Sequence, residues 1–522
     1  MKKFLLSSLA VFALIGCGGG GGGDGTNIKN ITINSSNQIE RITNTGDTTI
    51  NLTVPNKKDI YLVVTSRYDN QNISIDAPSA GDNTQQNYKV LDAPKNPKEP
   101  EKVLEFRKIA KSLIKRDIKK RSRITLLRRS VNEDDTETFC VDINSRYQCT
   151  QEIDATARKV VTANTKYGDK TLVIWVNDDE YPTRVNQAMV DNLADTFLKD
   201  DDTNDDIYDW VTNVFGEEWG NTGDSNLISD SDYIDILIYE MDNDGYAGYF
   251  WPKDNYTQSE VEGSNEKIMF YINSSLYYRA GYTLEENEKE VYTTLAHEFQ
   301  HMINFYQRTA LNDLYDEVWL NEMLSETTED LIATKIEYIG PRAVEPYNDG
   351  SAGDPGIDKG RYPDFNKYNY YSLTTWNNSL PDYSKVSAFG TFLTRNYGGA
   401  KVLHDIMYSS NTDAKAVEDA TGVDFNTLLS KWSAAVILSD NEDTSINIPR
   451  YNFGDFKNVS YNSITYNLGS INFYNYDPQP KFKSKETIDA NGNLYYHLGE
   501  FEGSTTINVD IPQRADITII AK

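Results

Sequence analysis

The chain has 522 residues, with 79 Asp and Glu against 51 Lys and Arg, a net charge of −28, and 39% hydrophobic residues. That balance offers no electrostatic footprint for nucleic acid and suits an acidic body exposed outside the cytoplasm. The length and apolar content allow two or three domains with a sizeable core.

Met1-Lys2-Lys3 is a short positive region, and Phe4 to Ile15 is an apolar run too short to span a bilayer. Leu14-Ile15-Gly16-Cys17 follows at once and resembles a bacterial lipobox. The resemblance implies a signal peptide over residues 1–16 and a lipid on the Cys17 thiol. Residues 17–27, with glycine from Gly18 to Gly23, then form a flexible tether. No later segment is long and apolar enough to cross a membrane, so the expected placement is lipid-anchored at the cell envelope or surface. Gly18 stands where an Asp would favour inner-membrane retention. The outer membrane is therefore favoured in a cell with two membranes, with release from the cell as the other outcome.

Residues 28–98 alternate apolar and polar side chains in runs such as Thr49–Val54 and Ile60–Thr65, separated by turn residues, and predict a small β module. Residues 99–130 include a basic block from Lys111 to Arg129, expected as an exposed helix or linker. A prodomain-processing site or a patch facing anionic lipid is the sharper alternative. Once Cys17 is set aside, only Cys140 and Cys149 remain. Both are flanked by strand-like residues, and an oxidising compartment permits a disulfide clamping that hairpin.

A catalytic region over 131–440 is expected to begin with strands near Cys140 and at Thr171–Val176. An acidic helical stretch from Ala188 to Phe215 follows, then strands at Tyr233–Tyr239 and Ile268–Ile272. Glu240-Met-Asp242-Asn-Asp244-Gly245 resembles the start of an EF-hand loop, but Trp251 stands where the bidentate Glu belongs. Calcium is thus left without a complete motif, there and in the Asp-rich turn at 200–206.

His297-Glu298-Phe299-Gln300-His301 carries two of the chain's four histidines. Residues four apart share a helix face, so both imidazoles can reach one ion if this segment is helical. The flanks supply the helix: Asn287 to Arg308 lacks Gly and Pro, and Val291, Leu295, Phe299, Met302, Ile303 and Tyr306 recur at its period. Glu298 then points at the open coordination position, where the attacking water needs a base. Catalytic zinc normally takes a third protein ligand. The second Gly- and Pro-free stretch, Glu317 to Ile336, offers Glu322, with Glu326 one turn later to accept the free N–H of a ligand histidine. Exchanging the roles of Glu322 and Glu326 fits the spacing equally.

The strings HEFQHMINF and WLNEMLSE resemble the gluzincin superfamily of metallopeptidases and, within it, the hyicolysin family of secreted bacterial neutral metallopeptidases. The resemblance implies one catalytic zinc held by His297, His301 and Glu322, Glu298 as general base and Glu326 in support. It also implies an α+β fold, strand-rich before the site and helical after it, flanked by small β domains. Met323, where the aminopeptidases carry Gly, argues against that branch. The helix opening at Tyr383 resembles the one that bears the transition-state tyrosine of zinc aminopeptidases, making Tyr383 the candidate oxyanion donor. His404 and His497 read as structural or surface residues.

Helical patterns continue to about Ser439. Residues 441–522 turn strand-rich, with Ile507–Ile511 and Ile517–Ile520 as the closing strands of a C-terminal β domain. The expected activity is a zinc endopeptidase acting on extracytoplasmic or host proteins. The alternatives are a zinc aminopeptidase and a catalytically inactive surface adhesin. Oligomeric state and substrate identity leave no mark in the sequence.

Overall fold

The computed structural model describes residues 27–34, 38–69, 71–77, 99–115, 130–201, 203–229, 232–241, 245–345, 349–482 and 487–522. The expected signal peptide, Cys17, all of the expected tether except Asn27, most of the basic block and Asp242–Asp244 lie outside them.

The chain enters through β1 (Asn27–Thr32), β2 (Ile39–Thr45), β3 (Thr48–Ser66) and the short β4 (Gln71–Asn72) and β5 (Ser74–Asp76). Helix α1 (Glu101–Leu113) precedes β6 (Thr136–Ile143), β7 (Cys149–Thr165) and β8 (Gly168–Asn177). Next come α2 (Gln187–Phe197), α3 (Ile207–Phe215), β9 (Tyr233–Tyr239), β10 (Gly248–Tyr249) and β11 (Met269–Asn273). A helical half follows: α4 (Leu284–Asn304), α5 (Val318–Ile332), α6 (Tyr362–Tyr368), α7 (Leu380–Asn396), α8 (Ala400–Met407), α9 (Asp413–Thr421) and α10 (Phe425–Ile437). The chain closes with β12 (Lys457–Tyr461), β13 (Ile464–Leu468), β14 (Thr487–Ile488), β15 (Asn493–Asp510) and β16 (Ala515–Ala521). Helix and strand are mixed throughout, as an α+β chain requires.

Strands β6 to β11 form one sheet in the order β10-β11-β9-β8-β7-β6, with β8, β9 and β11 parallel and the rest antiparallel. The central β8 reads Leu172-Val-Ile-Trp-Val176 without a polar break because both its faces are covered. Buried Asp235 on β9 accepts the Trp175 indole N–H at 2.7 Å, which satisfies both groups. At the far edge Cys140 and Cys149 are bonded across the β6–β7 hairpin, as their flanks predict, with Cα atoms 5.8 Å apart.

The two strand-rich ends are not separate modules. They interleave in a single sheet, β2-β16-β3-β15-β5, with β1 also on β3. The expected pair of strands at 49–54 and 60–65 is one 19-residue strand, β3, which takes β15 and β16 from the other end of the chain as neighbours beside β1. Pro55 lacks a ladder donor and falls in the bulge where Val54 pairs Gly503 and Lys58 pairs Phe501. Beyond it Ile60, Leu62 and Val64 enter the core of this sheet, while Tyr61 and Val63 enter the main core. Alternation puts successive side chains on opposite faces, so this half of β3 is buried on both sides.

Helix α4 begins at a capping box, Thr283 accepting from Glu286 N–H at 3.2 Å and Glu286 from Thr283 N–H at 2.6 Å. Its apolar stripe meets the β10–β11 sheet and helices α2 and α3, where Phe299 packs on Phe197, Tyr208 and Phe270. After Asn304 the helix widens into a π turn, Phe305–Ala310. Arg308, in that turn, donates to the carbonyls of Met407, Ser409 and Asn411 and to Asp316 at 2.6 Å, pinning the loop into α5. Helix α7 approaches α5 at Gly390, where a Cβ would stand 1.8 Å from Thr327 Oγ1. A glycine costs about 1 kcal/mol in a helix, and here it permits that close contact. Among the described residues, no helix is long and apolar enough to cross a membrane.

Candidate metal centre

Helices α4 and α5 face each other with His297, His301 and Glu322 between them. Their candidate ligand atoms all lie within 4.8 Å of one another. The Nε2 atoms of His297 and His301 approach to 3.1 Å, and Glu322 brings Oε2 to 3.3 Å from the first and Oε1 to 3.5 Å from the second.

The other ring nitrogens are committed elsewhere. His297 Nδ1 donates to Glu329 Oε1 at 2.7 Å, and His301 Nδ1 to Asn321 Oδ1 at 2.7 Å, with Ser325 Oγ at 3.1 Å. An ionised carboxylate can only accept, so His297 carries a proton on Nδ1; burial opposes a second one on Nε2, but Glu322 and Glu329 more than offset this and hold the ring's pKa well above its ordinary value. Burial drives the His301 pKa down to about 4, which favours neutral imidazole. Glu322 is buried, which opposes its charge, but the two histidines more than offset this and hold its carboxyl below the usual range. Its Oε2 has no hydrogen-bond partner. Two imidazoles with each Nδ1 tied off and a carboxylate whose Oε2 has no hydrogen-bond partner form the donor set that a divalent cation such as zinc takes, the cation standing in for the Nε2 proton that His297 otherwise favours.

Glu298 faces the same space, and its Oε2 accepts the Phe250 N–H at 2.8 Å. Burial pushes its carboxyl up to about 7. A carboxylate poised near neutrality can take a proton and give it back. Tyr383, from the first turns of α7, is buried with its hydroxyl unpartnered, edge-on to Trp376 at 4.9 Å. Burial, then the charges of Glu322 and Glu99, keep its phenol protonated far above neutral pH.

Glu326 does not fill the supporting place expected of it. Its carboxylate takes a fork of donors from Arg361, Nε at 2.8 Å and Nη2 at 2.7 Å, and Glu329 receives the histidine instead. The helix explains the exchange. Four residues beyond Glu322 the side chain has turned about 40° away, whereas seven residues on it returns to within about 20°. Glu329 was readable from that spacing, and Asn321 from its place beside Glu322. Arg107 and Glu99 gave no local signal. Arg107, from α1, pairs with Glu99 at 2.7 Å, donates to the Phe250 carbonyl at 2.9 Å and reaches Glu322 Oε1 at 3.3 Å.

His404 bonds the Val214 carbonyl at 2.9 Å, and His497 meets Asp59 at 2.6 Å on the terminal sheet. Neither belongs to the cluster. Among the described residues every group able to hold a cation lies here; the other two combine Glu99, Glu298 and His301, and His297, Glu326 and Glu329.

Residues 151–448 match the family model of Peptidase M30, and the chain belongs to that family. This agrees with the resemblance read from the two helix strings. The chain is 27% identical over 288 residues to the neutral metalloprotease ShpI of Staphylococcus hyicus, a match that takes 52% of this chain and 55% of that protein. It thus spans about half the length of that relative. Among solved structures it is similar to Legionella pneumophila aminopeptidase A in complex with aspartic acid. That likeness has a TM-score of 0.32 and 11% identity, over 52% of this chain and 27% of the other.

Proposed function

We propose that this member of the Peptidase M30 family is a zinc-dependent endopeptidase of gluzincin arrangement, lipid-anchored through Cys17 and acting on proteins outside the cytoplasm. The observation that carries the reading is the convergence of two imidazole Nε2 atoms and the unpartnered Glu322 oxygen, with each Nδ1 already spent. His297, His301 and Glu322 would hold the zinc. Bound there, it supplies Lewis-acid polarisation of the attacking water and the scissile carbonyl.

Glu298 is the base. It takes the water proton and delivers it to the leaving amine, and the Phe250 N–H at 2.8 Å fixes its carboxylate for both transfers. Tyr383 keeps its proton and has a free hydroxyl to donate to the oxyanion. Glu329 and Asn321 hold the rings and their tautomers. An aminopeptidase needs an acidic group free to take the substrate's amine. Glu99 brings an oxygen within 4.8 Å of one of Glu298, but Arg107 already pairs with it at 2.7 Å.

Glu298→Gln removes the base and spares the ligands. Loaded with zinc, the variant should lose turnover of a quenched-fluorescent casein by about 10³-fold while keeping one zinc per chain. Retained activity would sink the role of Glu298. A peptide blocked at its N-terminus separates endopeptidase from aminopeptidase, since only the former cuts it. For the anchor, radiolabelled palmitate should enter the wild type and not Cys17→Ser.

A further inference from the structure

The centre is covered. His297 is 7% exposed, Glu298 4% and Glu322 0%, and the cavity beside His301 measures about 20 Å³, room for a water and not for a peptide. An endopeptidase has to admit an extended chain at this point. What stands there is α1, with Arg107 lining that cavity and Leu104 and Lys108 lining a neighbouring one of about 280 Å³ that shares Tyr315 with it.

Resting on the peptidase reading above, we propose that the segment Glu99–Leu113 is an intramolecular inhibitor, and that the competent enzyme is the form in which it has been displaced. Three observations carry this. First, among the described residues β10 is the edge strand of its sheet, the kind of edge to which an extended peptide adds as a further strand. Arg107 caps the Phe250 carbonyl immediately after β10, at 2.9 Å, and so occupies a backbone acceptor that such a peptide would use. Second, a Glu99 oxygen lies within 4.8 Å of both a Glu298 oxygen and a His301 nitrogen. The Glu99 carboxyl thus stands beside both the base and a histidine of the centre. Third, the segment is docked and not woven in. Its 13-residue helix is too short to be stable alone, and the apolar anchors Val103, Phe106 and Ala110 hold it against the body. Phe106 meets the edges of Tyr147 and Tyr256, and the Tyr256 hydroxyl donates to the Ala110 carbonyl at 2.5 Å. The segment also lies outside residues 151–448, the part that matches the family.

The test uses the full chain in three forms, each loaded with zinc: wild type, Glu99→Gln with Arg107→Ala, and Phe106→Asp. The last loosens the helix from its apolar side and leaves both site contacts in place. Zinc content, the rate of zinc transfer to a chromogenic chelator and kcat/KM on quenched-fluorescent casein are read for each. The expected result is one zinc throughout, with transfer and kcat/KM each at least tenfold higher in both variants. Full zinc with kcat/KM equal to or below wild type in both would overturn the proposal and make α1 a wall of the substrate site. Zinc in none of the three would instead overturn the peptidase reading beneath it.

Discussion

Helix α5 carries buried carboxylates of two kinds at its two ends. Asp330, near the C-terminal end, is enclosed by Arg395, which reaches it at 2.8 and 3.3 Å and spends its remaining donors on the carbonyls of Gly469 and Thr391. Glu322, two turns earlier, is as deeply buried, yet one of its oxygens has no hydrogen-bond partner while two imidazole nitrogens point at the same space. Burial and charge are equal at the two ends. The difference lies in unspent bonding capacity, and that separates a structural carboxylate from one available for chemistry.

The sharpest way to break the comparison is to unpair the structural end. Arg395→Met strands a buried Asp330 and should cost about 3–5 kcal/mol of stability, read as a lower denaturant midpoint. The folded fraction should still bind one zinc, and loss of the site with the pair would show the two ends to be coupled. Next in size is the histidine support. Glu329→Gln should weaken zinc binding by roughly 10–100-fold in a competition titration, whereas Glu326→Gln, which only frees Arg361, should leave affinity within about threefold. The reverse pattern would restore Glu326 to the supporting role. Smallest is Thr283→Ala, which removes the α4 cap about 20 Å along the axis from His297. It should cost about 1 kcal/mol in thermal unfolding with no change in zinc affinity.

The features legible in the sequence are those whose signal is local. The HEFQH face, the strand at Tyr233–Tyr239 and the Cys140–Cys149 hairpin each follow from periodicity or pairing within about twenty residues, and the structure has helix, strand and disulfide there. Glu329 was missed because choosing between it and Glu326 requires the phase of α5 against α4, which a one-turn rule does not supply. Arg107 lies 215 positions from Glu322 and no pattern links them. The terminal sheet was misread for the same reason. Alternation marks β3 as a strand, but nothing within it says that two of its partners, β15 and β16, are more than 400 residues away.

That last pairing bears on how the protein is made. Over its second half β3 lies between β15 and β16, and neither exists until the chain has been synthesised past Asn493. Until then the apolar segment Ile60–Ser66 waits with both sides unpaired, the condition in which chains aggregate or are held by chaperones. The sheet therefore acts as a completion check. A ribosome that stalls between Ile332 and Asn493 releases a chain whose helices α4 and α5 are present in full but whose Ile60–Ser66 segment has nothing to close on.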